Sequence, residues 1–175
     1  MKIKKGNYRT VLLIGPVAIK FIRISSLGKF FKLTQNDIHL LTFRLIRSFI
    51  MNITEWFIFI ALSQRSAVSF LAPTYFSCGF FNIQKNVKGK QVDCRIVMDI
   101  IMQSIPESHK GLWMRGESHS FWANSGWRLC GNQYILLDYG DFFGNGTTFS
   151  EVFLRDWEYL EKCLTINPND SNTHL

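Results

Sequence analysis

The chain has 175 residues, 47% of them hydrophobic and 19% charged. That composition can fill a core and excludes a disordered, collagen-like or low-complexity chain. The length favours one domain, two at most. The formal charge of +7 is unevenly placed: residues 1–50 hold ten Lys/Arg against the single acid Asp37, a local +9, and the other 125 residues carry −2.

Lys2, Lys4 and Lys5 followed by the apolar run 11–19 imitate a signal peptide. Gly15-Pro16 interrupts that run, and Lys20 and Arg23 follow it at once, so a leader is not expected. Residues 43–62 are apolar too, but Arg44, Arg47 and Glu55 lie among them. No transmembrane segment is therefore expected. Cys78, Cys94, Cys130 and Cys163 are widely spaced, with no C-x-x-C pair. This is the usage of a reduced, cytoplasmic protein.

Residues 8–14 and 17–24 read as two strands of a hairpin turned by Gly15-Pro16. Alternation places Ala18, Lys20 and Ile22 on one face of the second strand and Val17, Ile19 and Phe21 on the other. A polar, basic connection follows over 25–32. Asn36 or Asp37 is placed to cap a helix to about Phe49, and Asn52 or Thr54 a second one from Glu55 to Gln64. Pro73 ends that pattern. An aromatic strand is expected over 74–83, with a bulge at Gly79.

Val92, Ile96, Val97, Ile100 and Ile101 predict an amphipathic helix that Pro106 ends. Residues 107–126 read as irregular. Residues 127–130 and 133–137 predict a hairpin with Gly131-Asn132 at its tip, and 149–163 a helix. The order of elements is that of an α+β protein.

Three groups of residues carry candidate chemistry. Val17-Ala18-Ile19-Lys20 reproduces the V-A-I-K strand of protein kinases. There the small Ala admits an adenine ring and the Lys reaches phosphates. Asp138-Tyr139-Gly140 is similar to the D-F-G metal-binding turn. A hairpin centred on Gly131-Asn132 sets Asn124 opposite Tyr139, so an amide and a carboxylate oxygen come within reach of one Mg²⁺. Glu55 stands on a helix after the lysine strand, where kinases carry the partner of that lysine.

The chain also resembles the small bacterial and phage-encoded proteins with a trimmed kinase-like fold. Gly6-Asn7-Tyr8-Arg9, then Gly15-Pro16-Val17-Ala18-Ile19-Lys20, Asn52-Ile53-Thr54-Glu55, Leu71-Ala72-Pro73 and Asp138-Tyr139-Gly140 carry the resemblance over residues 6–24 and 52–141. It implies a minimal protein-kinase-like fold. Residues 1–84 would be N-lobe-like, an antiparallel sheet with one or two helices and a hinge strand over 74–83. Residues 85–175 would be a reduced, helical C-lobe-like part bearing the metal-site hairpin.

The pattern also departs from the kinase one. The remaining glycines of G-x-G-x-x-G are missing. His119 stands where H-R-D would place the catalytic Asp, with Glu117 as a nearby substitute. Only 35 residues follow Gly140, and no A-P-E is visible. A catalytically degraded nucleotide-binding or protein-interaction module is expected, binding ATP and Mg²⁺ or a host or partner protein. Ala18, Lys20 and Glu55 would hold the cofactor, and Asn124 and Asp138 the metal. One alternative is an active atypical kinase using His119. Another is nucleic-acid binding through Lys2, Lys4, Lys5, Arg9, Lys29, Lys32, Arg44 and Arg47.

Overall fold

The computed structural model describes residues 1–6, 9–23, 35–64, 68–115, 126–139 and 149–166. The fold is α+β. The chain forms two compact units, one of residues 1–56 and 73–86, the other of 57–72 and 87–175.

The first unit is a five-stranded antiparallel sheet with a helix. Strands β1 (Lys2–Lys5), β2 (Arg9–Ile14), β3 (Val17–Ile22), β4 (Thr74–Ser77) and β5 (Phe81–Lys85) lie in the order β1-β2-β3-β5-β4. The β2–β3 hairpin pairs Ile14 with Val17 and Val11 with Lys20. Its turn needs Gly15, whose φ is 53°. Edge strand β1 extends the sheet beyond the expected hairpin and exposes all four of its residues. Three of the four are lysines, which discourage pairing with another sheet edge.

Residues 74–83 are not one strand. β4 and β5 form a hairpin whose turn contains Gly79, at φ 83°. The expected bulge position is thus a chain reversal that a side chain would strain. A Cβ there would also lie 2.2 Å from the Phe49 ring.

Helix α1 (Gln35–Ser63) replaces the two expected helices. No Gly or Pro interrupts this stretch. The proposed internal caps do other work. Asn52 bonds the sheet, and the Thr54 hydroxyl donates back to the Ile50 carbonyl. Residues through Trp56 belong to the first unit and the rest to the second. Over Leu41–Ser63, α1 is long and apolar enough to cross a bilayer by length and composition alone. Core helices pass the same test. This one buries Ser48, Asn52 and Glu55 and bonds the last two to strand residues, so a transmembrane assignment is not supported.

The second unit contains β6 (Lys90–Gln91), β7 (Trp127–Cys130) and β8 (Gln133–Leu136), paired in that order. It also holds α2 (Cys94–Ser104), α3 (Glu107–Arg115) and α4 (Phe149–Cys163). Asp93 caps α2 by accepting from the Arg95 amide. Residues 107–115 are helical rather than irregular. Pro106 stands just ahead of α3 and Glu107 in its first turn, both favourable at a helix start. The core gathers Phe70, Leu71, Ile101, Trp127, Leu136 and Leu160, among others. The Phe70 carbonyl and Ala72 amide bond Leu136 on either side, tying the segment before Pro73 to β8.

Candidate functional site

The inward face of the first sheet is polar. Ala18, Lys20 and Ile22 of β3 are buried, while Phe21 is exposed. Strand β5 presents Asn82 beside Lys20 and Gln84 beside Ala18. Helix α1 supplies Asn52 and Glu55, one helical turn apart on one face. Glu55 is 0% exposed.

Four donors converge on the groups of that turn. The Lys20 ammonium lies 2.9 Å from both Glu55 carboxylate oxygens. The Arg9 guanidinium donates to Glu55 Oε1 at 2.8 Å and to Asn52 Oδ1 at 3.1 Å. Asn82 Nδ2 donates to Glu55 Oε2 at 2.7 Å. Asn52 Nδ2 in turn donates to the Gly79 carbonyl at 2.7 Å, fastening the β4–β5 turn to α1.

Among the described residues, the cluster therefore sets two buried cations against the Glu55 carboxylate. Burial is the main force lowering the Lys20 pKa, to about 8. Attraction to Glu55 opposes it, and the neighbouring Arg9 charge adds to it. Asn82 Oδ1 is buried with no partner among the described residues, a further cost of the arrangement.

The lowered value has a measurable consequence. Above about pH 8 the folded protein releases the Lys20 proton, while the unfolded chain keeps it to about 10.5. Between those values the unfolded state binds more protons, so stability rises with pH. Wild type should gain on a Lys20→Met variant as pH rises from 8 to 10, by at most about 1.4 kcal/mol per pH unit. Paired urea titrations at each pH read this, and a constant gap between the two proteins would refute it.

The structure thus brings Lys20 and Glu55 together, with Ala18 on the same strand face. Sequence reasoning missed Asn82 and the inward role of Asn52, and it counted Arg9 among surface cations. Arg9 is buried in the cluster, so it is no part of a polyanion-binding surface. Of the other basic residues, Lys2, Lys4, Lys5 and Arg44 are exposed, and Lys29 and Lys32 lie outside the described residues. The signal for Asn82 was available in principle, since it occupies an inward position on a strand flanking Lys20.

The metal candidates belong to the second unit. Asp138 is half-buried, two residues beyond β8. The hairpin register is the expected one: Trp127 faces Leu136, and the Leu137 amide donates to the Gly126 carbonyl at 2.8 Å. Asn124, His119 and Glu117 lie outside the described residues. No group of three or more His, Cys, Asp or Glu converges among the described residues. Tyr139, where D-F-G has Phe, is buried, and its hydroxyl donates to the Ala72 carbonyl at 2.8 Å. That bond joins the residue after Asp138 to the segment leading into Pro73. Compared with protein-family models and with curated proteins, the chain matches none.

Proposed function

We propose that the chain is a kinase-like nucleotide-binding module that has lost phosphotransfer. The observation that carries this reading is the buried Lys20–Glu55 pair, with both carboxylate oxygens on one ammonium. It lies beside a small residue, Ala18, on the same strand face. A lysine held charged at a desolvation cost is a poor choice for stability alone, and such groups concentrate at functional sites. Its partner is the residue that the kinase resemblance calls for.

In this reading Ala18 leaves room for an adenine ring and Lys20 meets the phosphates. Asp138 and Asn124 offer the hard oxygen ligands that Mg²⁺ takes, and the bound ion would neutralise phosphate charge. The loss of phosphotransfer rests on His119 standing where the resemblance calls for the catalytic Asp.

A ligand that binds only the native state raises its stability. Thermal unfolding with Mg²⁺ and ATP at millimolar concentration should show a rise in Tm of several degrees. Lys20→Ala and Asp138→Ala should each abolish it, with no ATP turnover by wild type. A Tm unmoved by nucleotide would sink the reading, and turnover would restore the active-kinase alternative.

A further inference from the structure

Helix α1 has a second face that neither the sheet nor the charged cluster uses. Phe43, Ile46, Ile50, Ile53, Phe57 and Ile60 follow one another at alternating spacings of three and four residues. At 100° per residue they form one stripe. It lies on the side of α1 opposite Leu41, Ser48, Asn52 and Glu55, which are buried. Phe43 is 55% exposed, Ile46 55% and Phe57 68%, while Ile50, Ile53 and Ile60 are partly exposed.

We propose that this stripe is a self-association seam on which a second copy of the chain docks, α1 against α1. Three properties select that occupant. The alternation of three and four residues stays close to the 3.5 repeat of paired helices, so the apolar line can face a like helix along the stripe. Pairing six side chains of this size on each of two copies removes on the order of 1,000 Å² from water, the lower bound for a specific interface. The flanking positions Thr42, Phe49, Thr54, Trp56 and Ala61 carry no charge. Arg47 alone adds like charge at the edge, so two net-positive chains can still meet along this line.

A lipid surface fits less well. Helices that lie on membranes carry abundant Lys and Arg on their polar side, and α1 has no Lys and only Arg44 and Arg47.

The test is sedimentation equilibrium of the full chain from about 1 to 100 μM, a range suited to an interface of this modest area. Wild type should move from monomer toward a twofold higher mass. The double variant Ile46→Glu, Phe57→Glu should remain monomeric across the range with an unchanged far-UV circular dichroism spectrum. Ile46→Gln, Phe57→Gln serves if the charged variant fails to fold. Ile96→Glu, at an exposed apolar site on α2, should associate like wild type. A wild-type monomer at the highest concentration overturns the proposal, as does a dimer indifferent to the stripe variants. Stripe-dependent co-sedimentation with vesicles of neutral and anionic phospholipid, without dimerisation, overturns it in favour of a membrane surface.

Discussion

Glu55→Gln should destabilise the protein by about 3–5 kcal/mol, the cost of breaking a buried charge cluster from its one-partner side. The substitution preserves shape and removes the carboxylate that Arg9 and Lys20 share among the described residues. Two buried cations would then lose the opposing charge that Glu55 supplies. The new amide would also turn two donors toward groups that are themselves donors, Arg9, Lys20 and Asn82. Lys20→Met should behave differently. It removes the charge that burial already disfavours and leaves Glu55 paired with Arg9 and Asn82. Its cost should stay within about 1–2 kcal/mol, because replacing one buried ion by an apolar chain of similar length relieves desolvation. The urea midpoints of the two variants, read at neutral pH, give the comparison. Equal losses would mean that the pair acts through contacts between Lys20 and groups other than Glu55.

The asymmetry also explains which parts of the site were readable in advance. Period-two alternation puts Ala18 and Lys20 on one strand face from sequence alone, because side-chain direction in a strand depends only on local geometry. The hairpins at Gly15 and Gly131 were equally local, each set by a glycine able to adopt positive φ. The α+β class followed from the order of such elements. Glu55 could be assigned only through resemblance, since nothing local brings together residues 35 positions apart.

The misses share one cause. Asn52 has the chemistry of a helix cap, and its neighbours allowed that role, but tertiary hydrogen bonds to Arg9 and Gly79 claim its side chain. The helix then runs through the expected break. At Gly79 the sequence suggests a bulge, since glycine marks both bulges and turns. The pairing of Ser77 with Asn82 and of Phe76 with Ile83 decides for the turn. The inward roles of Arg9 and Asn82 depend on which face of the sheet α1 covers, and alternation cannot name the covered face.

The other large effect is expected at Tyr139. Its ring is among the largest fully buried side chains and belongs to the same core as Phe70, Leu71, Trp127 and Leu136. Tyr139→Ala leaves a cavity of aromatic size beside β8 and should cost about 3–5 kcal/mol. Tyr139→Phe keeps the ring and loses the hydroxyl bond to the Ala72 carbonyl, a loss of about 1 kcal/mol. The two variants separate the ring from the hydroxyl. If the ring anchors the Asp138–Tyr139 turn, Tyr139→Phe should keep a near-native urea midpoint while Tyr139→Ala moves it strongly. If the hydroxyl bond is the anchor, the two midpoints should fall together, and packing would be secondary at this position. The distinction matters for Asp138, because its backbone is bonded directly to that of the buried Tyr139. Ligand-free hydrogen exchange over residues 133–139 should therefore rise steeply in Tyr139→Ala and only slightly in Tyr139→Phe, as expected when packing rather than one hydrogen bond sets local opening.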